Sequence, residues 1–195
     1  MTTIFVVDDN PFMTERIGAL LEAKLKGRRE APTVVTEDEY IWEVATDERF
    51  GYGDIVLSDL YPAGYWMMDR PKRAVVSAPR QLWPWRPVDQ NHPTRIATAV
   101  EDIIRNYMTP LAMHKHKPAV IIYTHVLMTL YDAGMIDEAN RIKDLLRKCV
   151  VRKESDILEK VDRVPANGDL DAVADYVLRE LDALEVSRNC DVHRR

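Results

Sequence analysis

The sequence predicts an α/β fold in which helices cover both faces of a parallel sheet. Short apolar runs rich in β-branched residues recur along the chain, and stretches with apolar residues at helical spacing separate them. Continuously apolar runs are typical of strands that are buried on both faces. Strands that alternate with helices imply a parallel sheet, in which ligand sites lie beyond the carboxyl ends of the strands.

The first predicted unit is a strand, a turn and a helix. Residues 4–7 form the strand, and the polar turn after it holds Asp8 and Asp9. A helix with apolar residues at helical spacing follows as far as Leu25, and Gly27 stands where a helix would end. The unit therefore carries two carboxylates at its turn.

Further strands and helices are predicted along the rest of the chain. The predicted strands are 33–36, 54–58, 118–123 and 149–152. The predicted helices are 40–46, one that begins at Pro93, 126–133 and 136–148 with a break at Gly134, and one that starts near 167–169. Between the third and fourth strands, residues 62–92 form an insertion rich in tryptophan and proline. It either packs onto the domain or offers a surface to a partner.

Polar residues end the predicted strands, and these residues are Asp8, Asp9, Asp59, Thr124 and Lys153. At an effective dielectric near 20, two carboxylates about 4 Å apart repel each other by roughly 4 kcal/mol, which a divalent cation such as Mg²⁺ would relieve. An aspartate can attack phosphorus and become an acyl phosphate, while a hydroxyl and an ammonium group can hold the phosphoryl oxygens. The set is therefore chemically sufficient for phosphoryl transfer to Asp59. Taken alone, the acidic pair could equally be residues that favour the start of a helix.

The pattern of strand ends resembles the receiver domain of two-component response regulators. The runs Ile-Phe-Val-Val-Asp-Asp-Asn-Pro and Ile-Val-Leu-Ser-Asp-Leu-Tyr-Pro carry most of this resemblance. It implies a flavodoxin-like, doubly wound sheet of five parallel strands in the order 2-1-3-4-5. The resemblance covers most of the chain and is interrupted by residues 62–92.

The resemblance also implies a role for each site residue. The implied set consists of the phosphoacceptor Asp59, the Mg²⁺ ligands Asp8, Asp9, Asp59 and the backbone carbonyl of Tyr61, the switch hydroxyl of Thr124, and Lys153, which would sense the phosphoryl group. Lys148 is the alternative to Lys153, because the fifth strand is short and lies among basic residues.

The sequence departs from the family pattern at four places. Pro62 stands three residues after the phosphoacceptor, where the family usually has a proline four residues on. His125 follows the switch threonine, where a small residue is usual, and it is expected to restrict access to the site. Val151 stands where the family has an aromatic residue, and Glu154 where it has a proline. These departures leave the carboxylates in place and concern the switch and the turnover of the phosphoryl group.

Composition and length agree with a single soluble domain. The net charge of -5 and the pI of about 5.6 disfavour binding to nucleic acid or to anionic membranes. The two cysteines fit no metal-binding spacing and, with no signal peptide in front, indicate free thiols in the cytoplasm. Residues 1–186 are predicted to be one domain and 187–195 a flexible tail, with no attached DNA-binding module.

The leading prediction is a signalling phosphoacceptor in a phosphorelay. It would not be an enzyme for other substrates, although it could promote its own phosphorylation and dephosphorylation. The resemblance implies a histidine kinase or a histidine phosphotransfer protein upstream and an unknown protein target downstream. It also implies that the chain can form a homodimer, as members of the family commonly do. A receiver-like interaction module without phosphorylation is the first alternative. An aspartate-nucleophile phosphatase is disfavoured, since Asn10 stands where such enzymes have a second aspartate.

Overall fold

The computed structural model describes residues 2–8, 11–28, 30–37, 54–60, 93–115, 117–159 and 168–192. Within these ranges, one parallel sheet contains the strands β1 (Thr3–Val7), β2 (Thr33–Glu37), β3 (Ile55–Ser58), β4 (Ala119–Thr124) and β5 (Ile157–Glu159). The strand order is β2-β1-β3-β4-β5, and all neighbours are parallel. The predicted α/β fold and its strand order are confirmed.

Helices cover both faces of the sheet. They are α1 (Pro11–Leu25), α2 (Pro93–Ile103), α3 (Thr109–Ala112), α4 (Val126–Asp132), α5 (Ile136–Cys149) and α6 (Gly168–Val192). Helices α1 and α6 pack on one face, whereas α2 to α5 contribute to the core on the other. This arrangement is the doubly wound fold that the alternation of strands and helices predicts.

Alternate residues of the central strands enter the two cores. In β1, Ile4 and Val6 face α1 and α6, and Phe5 and Val7 face the opposite layer. Successive side chains of a strand point to opposite faces, so a strand with both faces covered must be apolar throughout. Burying one such side chain contributes about 1.5–3 kcal/mol, more than an exposed ion pair at roughly 0–1 kcal/mol. The two cores, rather than surface charges, hold the sheet together.

Glycines end two of the helices where the sequence predicts a stop. Gly27 follows α1 with a φ of 95°, and Gly134 separates α4 from α5 with a φ of 73°. Both values lie in the left-handed region, which a residue without a Cβ adopts at little cost. Helix α5 then begins at Ile136, as predicted.

The helical segment after the insertion contains a π-helical turn, Ile104–Met108, between α2 and α3. The Thr109 amide bonds to the carbonyl of Ile104, five residues earlier, and the Thr109 hydroxyl donates to the same oxygen at 3.0 Å. The next residue, Pro110, has no amide hydrogen, and its ring would clash with the carbonyl four residues before it in a regular helix. A proline therefore disfavours a regular helix at this point, and Ile104 stays in the core through the wider turn.

The position predicted for the fifth strand, 149–152, is wrong. Helix α5 continues to Cys149, and the amides of Val150 and Val151 both bond to the Leu146 carbonyl, at 2.8 and 2.9 Å. The two valines are buried and complete the core at the end of the helix, which explains their apolar character. The observed strand β5 is Ile157–Glu159, so Lys153 lies before the strand and not after it.

Some predictions fall on parts of the chain that the structure does not describe. The helix predicted at 40–46 and the insertion at 62–92 lie outside the described residues. At the carboxyl end, the backbone of α6 is helical as far as Val192, within the segment 187–195 for which the sequence predicts a tail. The flexibility of that segment stays a prediction.

Candidate functional site

The register of the sheet brings three predicted site residues to the same end of neighbouring strands. Val7 of β1 pairs with Ser58 of β3, and Ser58 pairs with Ile122 of β4. One residue further on, the Asp59 amide donates to the Val7 carbonyl at 3.0 Å, which continues the ladder between β1 and β3. Asp8 and Asp59 therefore stand at adjacent strand ends. Thr124, the last residue of β4, lies at the same end of the sheet.

Asp59 is partly exposed and is held by its own turn. Its carboxylate oxygen Oδ1 accepts a hydrogen bond from the Leu60 amide at 2.7 Å. The Ser58 hydroxyl donates to the Asp59 backbone carbonyl at 2.9 Å. These bonds fix the carboxylate at the end of β3, and the partial exposure leaves it accessible to a reactant from solvent.

Asp8 is buried, with 1% of its surface exposed. Its Oδ2 accepts a hydrogen bond from the hydroxyl of Tyr123, a residue of β4 that is fully buried. A buried carboxylate requires such a partner, because removing a charge from water without one is costly. Tyr123 is not among the site residues that the sequence predicts. The available signal was a side chain with a polar tip in the otherwise apolar run Ala-Val-Ile-Ile-Tyr, directly before Thr124.

Thr124 is buried and contacts the start of α4. Its Oγ1 accepts a hydrogen bond from the Val126 amide at 3.3 Å. A hydroxyl that accepts in this way keeps its own hydrogen, which can be donated to another oxygen. His125 precedes the first residue of α4 and is partly buried. Its carbonyl accepts hydrogen bonds from the amide and the hydroxyl of Thr129, at 3.0 and 3.2 Å.

Lys153 does not lie at the carboxyl ends of the strands that carry Asp8 and Asp59, because it precedes β5 and pairs with a residue of α6. Its Nζ forms an ion pair with Glu180 of α6 at 2.5 Å and lies 5.8 Å from the centre of the Tyr176 ring. The hydrogen bond to the Glu180 carboxylate raises the pKa of Lys153 above its usual value. The alternative, Lys148, belongs to α5 and follows no strand. The structure therefore brings neither lysine to the carboxyl end of β5.

The carboxyl end of β5 is Glu159, whose register partner in β4 is Thr124. The next residue in the sequence is Lys160, which lies outside the described residues. This lysine is not among the predicted site residues, because the sequence pattern places the fifth strand too early in the chain. The pattern that could have revealed it is the short run Ile-Leu-Glu with a lysine directly behind it.

Two of the four implied Mg²⁺ ligands can be compared with the structure. Asp9 and Tyr61 lie outside the described residues, and among the described ones no three histidine, cysteine, aspartate or glutamate side chains gather closely enough to hold a metal ion. The carboxylates of Asp8 and Asp59 are hard oxygen ligands of the kind that Mg²⁺ binds, usually one or two at a time together with water and phosphate oxygens. The chemistry of these two residues therefore fits the ion.

Comparison of the chain with family models, with curated proteins and with solved structures finds no match. In the part of the chain that the structure describes, every helix is too short or too polar to cross a membrane. Cys149 forms no disulfide.

Proposed function

We propose that this chain is a phosphoacceptor receiver domain that takes up a phosphoryl group on Asp59 and works in a two-component phosphorelay. The observation that carries this proposal is the placement of three residues on the sheet. In a parallel sheet of order 2-1-3-4-5, Asp8, Asp59 and Thr124 stand at the carboxyl ends of three successive strands, where ligand sites of such sheets lie.

The proposed reaction is a displacement at phosphorus. An oxygen of the Asp59 carboxylate attacks the phosphorus atom and forms a new P–O bond. The bond from phosphorus to the leaving group breaks, and its electron pair stays with that group, a histidine nitrogen of the upstream kinase or phosphotransfer protein. Mg²⁺ held by the carboxylates of Asp8, Asp9 and Asp59 and the Tyr61 carbonyl would supply neutralisation of the negative charge on the phosphoryl oxygens.

Thr124 and one lysine would hold the transferred group. Thr124 can donate its hydroxyl hydrogen to a phosphoryl oxygen while its own oxygen still accepts from Val126. We assign the lysine role to Lys160 in place of Lys153. Lys160 is bonded to Glu159, the register partner of Thr124, and covalent geometry keeps consecutive Cα atoms about 3.8 Å apart.

This assignment changes which departures from the family pattern matter. Val151 and Glu154 belong to a helix end and a turn, so they do not occupy the family positions around a fifth strand. Around Lys160, the position two residues earlier is Leu158 and the following residue is Val161. An aliphatic residue still replaces the usual aromatic one, so signalling would pass to a protein target by a route other than an aromatic switch. A cytoplasmic location is part of the same proposal.

The test is incubation of the full chain with acetyl phosphate and Mg²⁺, followed by intact mass measurement. We expect the mass of one phosphoryl group to be added to the wild type and to be absent in Asp59→Asn. Asp144→Asn, on the exposed side of α5, is the matched control and should still gain the group. A wild type that stays unmodified would favour the alternative of an interaction module without phosphorylation. An Asp59→Asn variant that is modified equally would show that Asp59 is not the acceptor.

A further inference from the structure

A row of three polar residues crosses the sheet at the end of the central strands. The register partners Val7, Ser58 and Ile122 lie side by side on β1, β3 and β4, and the residues directly after them are Asp8, Asp59 and Tyr123. The residues two positions earlier on each strand belong to the core under α1 and α6. Because side chains alternate along a strand, the three polar residues occupy the same face.

Tyr123 spans this row. Its hydroxyl donates to Oδ2 of Asp8, although β3 lies between their two strands. Neighbouring strands are about 4.8 Å apart, so the Tyr123 and Asp8 side chains together span roughly 10 Å, past the strand that ends at Asp59. The bond thus links the first and third members of the row past the second.

The hydroxyl of Tyr123 is not needed to fill space. The ring is fully buried in the core with Met13 and Ile17 of α1, and phenylalanine would occupy nearly the same volume. What tyrosine adds is one donor, and in the described structure that donor is directed at a carboxylate that is 1% exposed. A carboxylate with one oxygen fixed in this way has its other oxygen fixed as well, since the group is planar and rigid.

We propose that Tyr123 is a positioning residue for the divalent cation at this site: it holds the Asp8 carboxylate in the orientation that binds Mg²⁺ together with Asp59. This inference rests on the proposed function. Partners that hydrogen-bond to metal ligands orient them, and their loss typically weakens metal binding by 10- to 100-fold. Tyr123 itself contacts neither the cation nor the phosphoryl group.

The chain offers a matched pair of tyrosines for the test. Tyr176 of α6 also donates to a buried aspartate, Asp156, at 2.8 Å, but that aspartate precedes β5. Mg²⁺ binding to the full chain is measured by titration calorimetry for the wild type, Tyr123→Phe and Tyr176→Phe. We expect the dissociation constant to rise about tenfold or more in Tyr123→Phe. In Tyr176→Phe it should stay within about twofold of the wild type, because that tyrosine serves no metal ligand.

A second measurement reports on the orientation of Asp8 without any phosphoryl transfer. Before Mg²⁺ is added, the ¹³C resonance of the Asp8 carboxyl group should differ between the wild type and Tyr123→Phe and should be the same in Tyr176→Phe. If Tyr123→Phe does not fold, 3-fluorotyrosine placed at position 123 of the intact chain gives a ¹⁹F signal that should move on addition of Mg²⁺. The same label at position 176 should not respond.

The outcomes separate this inference from the function on which it rests. A wild type that binds no Mg²⁺ and accepts no phosphoryl group overturns both. A wild type that binds Mg²⁺, with Tyr123→Phe binding it equally well or more tightly, overturns only the positioning role. An unchanged Asp8 resonance in Tyr123→Phe, or an unresponsive ¹⁹F signal at position 123, overturns that role as well.

Discussion

Two buried aspartates that each accept a tyrosine hydroxyl stand at opposite ends of strands. Asp156 precedes β5 and accepts hydrogen bonds from Tyr176 and from the amides of Arg152 and Lys153, so it shapes the turn to which it belongs. Asp8 comes after β1 and is held by a side chain from β4. We expect the Asp156 carboxylate to serve the fold and the Asp8 carboxylate to serve the proposed site. We call the turn before β5 the fold end, and the carboxyl end of β1, β3 and β4 the site end.

The sharpest test of this division compares Lys153, which precedes β5, with Lys160, which follows β5 in the sequence. Under the proposed function, Lys160→Ala should slow phosphoryl acceptance by Asp59 by about 10²–10³-fold, because the variant would lose a charge that stabilises the transferred group. Lys153→Ala should change the rate by less than about twofold, because Lys153 pairs with Glu180 at the fold end. The rate is measured with acetyl phosphate and Mg²⁺ by intact mass over time.

A circular dichroism spectrum of each lysine variant serves as the control for folding. If Lys153→Ala accepted no phosphoryl group and Lys160→Ala accepted it at the wild-type rate, Lys153 would be the phosphoryl-sensing residue. The distinction between the fold end and the site end would then be wrong.

The second test concerns stability. Asp156→Ala leaves two backbone amides and the Tyr176 hydroxyl without their acceptor, and we expect it to lower the free energy of unfolding by about 3 kcal/mol. Asp8→Ala removes the acceptor of the Tyr123 hydroxyl but also removes the charge repulsion with Asp59. Its cost should be about 1 kcal/mol or less. Urea unfolding without Mg²⁺ measures both values.

Equal losses of stability in the two alanine variants would contradict this distinction. A larger loss in Asp8→Ala would mean that the Tyr123 bond serves the fold in the same way as the Asp156 bonds do.

The smallest expected effect is a pH dependence at the fold end. The hydrogen bond to Glu180 raises the pKa of Lys153, so the folded state holds this proton more tightly than the unfolded state. The resulting stability is fully present below the usual lysine pKa of about 10.4 and is lost as the pH rises through the raised value. Lys153 is exposed to solvent, which screens the ion pair, so the contribution should be at most about 0.5 kcal/mol.

Glu180→Gln provides the measurement for this effect. The difference in unfolding free energy between the wild type and the variant should be detectable near pH 8 and should vanish above the lysine range. A difference that grows with pH would show that the ion pair is not its origin.

Much of the fold could be predicted because burial on both faces imposes an apolar pattern. Such runs predict four of the five strands, and the glycines mark the ends of α1 and α4. The fifth strand was predicted at the wrong position for two reasons. Val150 and Val151 have the β-branched side chains of a strand but complete the core at a helix end. The true strand has three residues, lies at the edge of the sheet and is only partly buried, so its pattern is weak.

The candidate site could be predicted only in part, for a related reason. Asp8, Asp59 and Thr124 each mark the end of a recognisable strand, so local patterns sufficed to place them at one end of the sheet. The bond from Tyr123 to Asp8 depends on the register of three strands at once. Sequence patterns specify which residues form a strand but not the register between strands. The contact between Tyr123 and Asp8 could therefore be identified only from the structure.

The Tyr123–Asp8 bond joins residues that are 115 positions apart in the chain. Forming a contact between residues so far apart in the chain costs the entropy of closing a long loop. The site therefore exists only when β1, β3 and β4 are assembled, and a partly folded chain would offer no cation binding of the native kind. Any ligand of this site therefore binds the native state alone. At a free concentration of a hundred times its dissociation constant, such a ligand would raise the free energy of unfolding of the whole domain by about 2.7 kcal/mol. Occupancy of the site and completion of folding are in this way thermodynamically linked.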